Sequence, residues 1–130
     1  MLYCNIYIAI KYYVNILHGE YMSSITEITD DIFGQEVLGS DRPVIVDFRA
    51  PWCYPCNRLA PVLEEVATRN KESWKIVTIN METNRGSLRT YNVKSIPSLL
   101  FFIDGKEVNR LIGIKTVEQI ENVMSLFTEV

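Results

Sequence analysis

The sequence predicts an α/β fold, a partly parallel sheet between layers of helix, on three observations. Strand-like and helix-like segments alternate through the first two-thirds of residues 22–130. The segment Val44 to Phe48 is a near-continuous apolar run, the mark of a strand buried on both faces. A hairpin and one more helix then close the chain. At 130 residues, 48% hydrophobic and 22% charged, the chain is one ordered domain by size and composition.

The elements follow in order. Ser24 to Ile28 alternates weakly and forms a short strand. Thr29 or Asp30 caps a helix carrying Ile32, Phe33, Val37 and Leu38, which Gly39 ends. Val44-Ile45-Val46-Asp47-Phe48 is a buried strand after Pro43. From Pro55 to about Asn70, Leu59, Val62, Leu63 and Val66 recur at helical spacing, and Pro61 should kink the helix. Ile76 to Ile79 is a third strand, and Asn84 caps a short helix through Leu88 and Tyr91. Ser98 to Ile103, the turn Asp104-Gly105, and Val108 to Ile112 form the hairpin. Thr116 caps a last helix with Val117, Ile120, Val123, Met124 and Phe127 inward.

Residues 1–21 differ from the rest. They hold five of the seven tyrosines, the only histidine (His18) and one of three cysteines (Cys4). Leu2, Cys4, Ile6, Ile8, Ile10, Tyr12, Val14 and Ile16 are all apolar or aromatic and every polar residue up to 17 falls at an odd position, an extended pattern with one apolar face, although Lys11, Asn15 and His18 also share a helical face. No basic residue precedes Ile6, no small-residue cleavage site follows, and Asn5, Lys11 and Asn15 interrupt any span. The division expected is therefore an extension over 1–21, dispensable or an upstream start, and a domain over 22–130. A docked extra strand and a membrane or export role are the alternatives.

The net charge of −3 lacks the basic stripe that nucleic acid requires. An odd cysteine count in so few cysteines is not a disulfide scaffold and points to a reducing, cytoplasmic setting.

The chemistry lies in Trp52-Cys53-Tyr54-Pro55-Cys56, where a buried strand meets a helix. Free N–H groups and the positive dipole end at a helix start favour a thiolate at Cys53. Cys56, three residues on, leads into the apolar face of Leu59 and Leu63. Cys53 should then be the exposed nucleophile and Cys56 the shielded thiol that resolves the mixed disulfide. Pro55 stiffens the loop between them. A zinc site would need Cys4 and His18, at no zinc-finger spacing, so no metal is expected.

These motifs carry a resemblance. Asp47-Phe48-Arg49-Ala50-Pro51-Trp52-Cys53-Tyr54-Pro55-Cys56, then Ala60-Pro61-Val62-Leu63-Glu64-Glu65, Ser95-Ile96-Pro97-Ser98 and the glycine of Leu111-Ile112-Gly113 resemble the thioredoxin family across residues 22–130. The resemblance implies a central five-stranded mixed sheet flanked by four α-helices. It implies protein dithiol–disulfide exchange in a monomer with no cofactor beyond the Cys53–Cys56 disulfide. Its implied partners are a thioredoxin reductase and disulfide-containing client proteins, with neither nucleic acid nor membrane. It makes Asp47 the buried proton acceptor for the resolving cysteine and the Ile96–Pro97 peptide cis. It lines the substrate groove with Trp52, Ile96, Pro97 and Gly113. An unpaired carboxylate ending an apolar strand has a raised pKa, which suits Asp47 to that role.

The sequence departs from the family at three positions. Tyr54 replaces the usual glycine, and with Pro55 it is a candidate for tuning the redox poise. Arg49 stands where a tryptophan is common, two residues from Asp47 and on the same strand face. Thr78 occupies the position of a lysine that often neighbours the buried acid. Arg49 is therefore expected either to serve as the positive neighbour of Asp47 or Cys53 or to stand solvated and uninvolved. Two other readings of the same fold remain: an oxidant or reductase dedicated to one client, and a binding module without turnover.

Overall fold

The computed structural model describes residues 23–127. The expectations for residues 1–21 fall outside these described residues. Five strands form one sheet: β1 (Thr26–Ile28), β2 (Val44–Arg49), β3 (Lys75–Asn80), β4 (Ser98–Ile103) and β5 (Lys106–Ile112), in the order β1-β3-β2-β4-β5. β3 pairs in parallel with both β1 and β2, whereas β4 and β5 add in antiparallel fashion. The helices are α1 (Tyr54–Arg69), α2 (Arg85–Thr90) and α3 (Val117–Met124). This is the five-stranded mixed α/β sheet expected.

The pleat of β2 divides the core. Val44, Val46 and Phe48 face a cluster with Phe33, Val37, Val77, Ile79, Val93, Leu100 and Phe102. Ile45 faces the opposite cluster, which joins Leu59, Leu63 and Val66 of α1 to Ile120 and Met124 of α3. Val44 to Phe48 are buried throughout, which is why their sequence is a run rather than an alternation. Polar contacts then join the far end of α1 to α3: Arg69 pairs with Glu121 at 3.1 Å, and the Asn70 amide donates to the same carboxylate at 2.9 Å.

The first expected helix is not an α-helix. A 3-10 turn over Asp30–Ile32 is followed by a π-helical turn over Gly34–Leu38, closed by the Gly39 N–H on the Gly34 carbonyl at 2.8 Å. The wider turn still seats Phe33 and Val37 in the core, so burial overrides regular helix geometry here. Neither Thr29 nor Asp30 caps this segment with its side chain. Asp30 instead caps α2 across the fold, its carboxylate accepting from the N–H groups of Gly86 and Ser87 at 2.9 Å each. Asn84 occupies the N-cap position of α2 without capping it. Its amide accepts from the Asp30 N–H at 2.8 Å and donates to the Asn80 carbonyl at 2.9 Å. Burial alone would raise the Asp30 pKa, but the bonds from Ser87 and Gly86 outweigh it and hold the carboxyl below its ordinary value.

α1 runs without a break through Pro61, and Thr116 closes a full capping box with Gln119 at the start of α3. The hairpin turn has positive φ at both Asp104 (50°) and Gly105 (78°), the twist a two-residue connection needs. A Cβ on Gly105 would also lie 3.1 Å from the Leu38 carbonyl oxygen. This tight turn starts β5 at Lys106, two residues before the apolar pattern begins, and the β4–β5 pairing carries a register shift between Phe101 and Phe102.

Asp30→Ala removes both α2 capping bonds and is expected to cost about 1–2 kcal/mol of unfolding free energy. Asp31→Ala, at an exposed neighbour, should cost less than half as much. Urea denaturation of the two variants checks this, and equal losses would remove the cross-fold cap as the cause.

Candidate active site

β2 ends at Arg49, and the chain turns through Ala50-Pro51-Trp52 into the first turn of α1. This places Cys53 at the N-cap, with the Cys56 N–H donating to its sulfur at 3.3 Å. Cys53 and Cys56 form a disulfide, with Cα atoms 5.2 Å apart. Both sulfur-bearing residues pack against Ala50, with Met81 and Ile96 alongside. The sequence leads one to expect an exposed Cys53 beside a shielded Cys56. In the disulfide state the contrast is narrower, with Cys53 at 4% exposure and Cys56 at none. Exposure is supplied by the rings on either side of Cys53, Trp52 at 65% and Tyr54 at 69%.

Each ring has a charged partner. The Trp52 indole N–H donates to the Glu82 carboxylate. On the other side the Arg58 guanidinium lies 5.9 Å from the centre of the Tyr54 ring and 3.4 Å from its hydroxyl. Tyr54 and Arg58 are one helical turn apart on α1, the spacing that stacks side chains.

Pro97 lies in the loop before β4, and the Ile96–Pro97 peptide is cis. Ile96 packs onto the cysteine pair, and the Pro97 carbonyl accepts from the Gly113 N–H at 2.9 Å. Gly113 has φ of +91°, a backbone state that a side chain would strain, although the space beyond it is open. The loop carrying Pro97 and the end of β5 are thereby held together beside the disulfide.

Asp47 sits on the α1 side of β2, between Thr78 on β3 and Leu99 on β4 in register. It is 1% exposed, and its Oδ1 has no hydrogen-bond partner. Burial raises its pKa from 3.8 to about 7, against the opposing pull of the Arg49 guanidinium. Asp47 and Arg49 border a cleft of about 260 Å³, with Ser23, Ala60, Glu64 and Thr78 also on its walls. Arg49 also donates to the Asn57 amide oxygen at 2.7 Å, and the Asn57 Nδ2 donates to the Pro51 carbonyl at 3.3 Å.

Cys53, Cys56, Trp52, Tyr54, Pro55 and Ile96 are thus gathered at one end of the sheet, with Pro97 and Gly113 linked beside them. Asp47 and Arg49 lie beneath, along β2. Three contributors escaped the sequence reading: Asn57, Glu82 and Met81. Asn57 was findable, since it lies one helical turn after Cys53. Met81 and Glu82 follow β3 and reach the site only through its pairing with β2; the Met81 N–H donates to the Arg49 carbonyl at 2.9 Å. Among the described residues no group of three or more His, Cys, Asp or Glu is arranged to hold a metal ion. No helix among them is long and apolar enough to cross a membrane.

The chain is similar to known proteins along most of its length. The family model described as Thioredoxin matches residues 24–126. Thioredoxin 1 of Nostoc sp. is 44% identical over 92 residues, covering 71% of this chain and 86% of that protein. Thioredoxin of Mycobacterium tuberculosis is 43% identical over 93 residues, covering 72% and 80%. Thioredoxin of Porphyra purpurea is 38% identical over 104 residues, covering 80% and 97%.

Two outcomes follow from the buried acid. Between pH 3.8 and about 7 the folded protein keeps the Asp47 proton while the unfolded chain has lost it. The native state then binds more protons, so stability falls as pH rises through that window and levels off above it. Asp47→Asn has no such loss and should gain up to about 4 kcal/mol over the wild type near pH 8, at 1.36 kcal/mol per pKa unit. Urea unfolding of the oxidised protein from pH 4 to 8 measures the gap, and parallel pH profiles would clear Asp47 of responsibility. Arg49→Leu removes the opposing positive charge and should move the Asp47 midpoint above about 7 in a carboxyl NMR titration.

Proposed function

The chain belongs to the thioredoxin family and is a protein dithiol–disulfide oxidoreductase, and from that premise we propose how its residues divide the reaction. Its redox-active group is the Cys53–Cys56 disulfide. The observation that carries the assignment of roles is the position of Cys53 as N-cap of α1, its sulfur accepting the Cys56 N–H. A backbone donor and the helix dipole both stabilise negative charge at that sulfur, so Cys53 is the nucleophile.

In the reduced protein, the Cys53 thiolate attacks one sulfur of a client disulfide. A bond forms between Cys53 and the client, and the other client sulfur leaves as a thiolate that takes a proton. Cys56 then gives its proton to Asp47 and attacks the Cys53 sulfur. The Cys53–Cys56 disulfide forms, the second client thiolate is released and protonated, and two electrons have passed to the client. A carboxyl with a pKa near 7 is matched to accept a thiol proton at neutral pH. The cleft beside Asp47 offers that proton a way out.

Arg49 restrains the rise of the Asp47 pKa and so keeps the carboxylate available as a base. Tyr54 and Pro55 set the redox poise through the first turn of α1. Trp52, Ile96, Pro97 and Gly113 line the groove that receives the client backbone. A thioredoxin reductase supplies the electrons that restore the dithiol, clients are proteins bearing disulfides, and the working domain is residues 22–130. The cytoplasm is the setting that fits a dithiol required in reduced form and a chain with an odd number of cysteines.

A protein-disulfide reduction assay, with reductant and a thioredoxin reductase, tests the scheme. The full chain and residues 22–130 should both turn over. Cys53→Ser should fall to background, and Cys56→Ser should stop as a stable mixed disulfide through Cys53. Activity retained in Cys53→Ser, or adduct formation through Cys56, would overturn the assignment of roles.

A further inference from the structure

Arg58 has no role in the exchange chemistry, yet it stands beside its entrance. Its guanidinium rests against Tyr54, the residue next to the nucleophile, and Tyr54 is 69% exposed. The ion pairs among the described residues join Arg69 to Glu65 and Glu121, Lys75 to Glu36, and Arg110 to Glu107; none involves Arg58. An arginine bearing no carboxylate retains its forked donors for another molecule. The aromatic ring one turn before it on α1 limits its wandering, so less entropy is lost when it meets a ligand.

The opposite flank of Cys53 has the opposite sign, because Trp52 holds the Glu82 carboxylate. The mouth of the site therefore carries a charge difference from its Tyr54 side to its Trp52 side. We propose that Arg58, steadied by Tyr54, is a specificity residue that receives a carboxylate on the client. The preferred client carries an Asp or Glu next to its reacting cysteine, on the side that lies over Tyr54. This deepens the exchange reading and depends on it. Glu82 rejects an acid on the other side, so the preference is directional.

The test uses the full chain and a set of disulfide peptides with Glu or Gln placed on one side or the other of the reacting cysteine. The readout is the ratio of kcat/KM for the Glu peptide to that for its Gln twin. An exposed charge pair supports a ratio of about two to five on one side, shrinking as salt is added, and no such gain on the other. Arg58→Gln should bring that ratio to about one, and Arg58→Glu should push it below one. Tyr54→Leu, which removes the ring, should lower it. A wild-type ratio near one on both sides, or a ratio that survives Arg58→Gln, overturns the proposal. Reduction of the Gln peptides is read in the same experiment, so failure of the exchange reading itself would register separately as loss of turnover on every peptide.

Discussion

Removing β2 from water on both faces is the constraint on which the molecule depends. Val44 to Phe48 are buried between a parallel neighbour, β3, and an antiparallel one, β4. That burial supplies much of the hydrophobic driving force, at roughly 25 cal/mol per Å² of apolar surface. It also carries Asp47 into the interior with one carboxylate oxygen unpartnered. The strand that stabilises the fold is thus also the strand that bears a buried, incompletely partnered carboxyl group. Because β2 runs directly into the turn before α1, the same placement sets the cysteine pair at the start of a helix, where a thiolate is favoured.

Electrostatics around the site follows from this layout. Beneath the disulfide, Arg49 opposes the burial of Asp47 and is itself fastened to Asn57 on α1. Strand and helix are tied at the level of Asp47. The β3 neighbour of the acid is the uncharged Thr78, and the positive charge comes from β2 itself, at Arg49. Above the disulfide, two exposed rings bracket Cys53, one engaged by an acid and one by a base.

The sequence and the structure meet most closely at strongly patterned elements. The continuous apolar runs of β2 and β4, the Asp104-Gly105 turn and the Thr116 capping box are local signals with local causes, and each stands where its residues indicate. The site was legible for a similar reason. Two cysteines separated by Tyr-Pro at a strand-to-helix junction leave few chemistries open. Legibility fell wherever a partner distant in sequence decided the outcome. Residues 30–38 have helical spacing, yet seating Phe33 and Val37 in the core turned them into 3-10 and π turns. Asn84 has the chemistry of a cap, but Asp30, 56 residues before Gly86, reaches that helix end first and frees Asn84 to bridge Asp30 and Asn80.

By itself, the sequence determined the α/β class, the order of elements and the cysteine pair that carries the reaction. These rest on periodicity, turn chemistry and spacing within a few residues, which no distant contact is needed to read. Only the tertiary structure decided that Cys53 is nearly as enclosed as Cys56, that Met81 and Ile96 pack beside them, and that Asp47 titrates near 7. Exposure and pKa depend on what surrounds a group in space, and here the surroundings come from β3, β4 and the loop at Pro97. The physical reason is desolvation: a chain records which groups are polar, but folding decides which of them lose water.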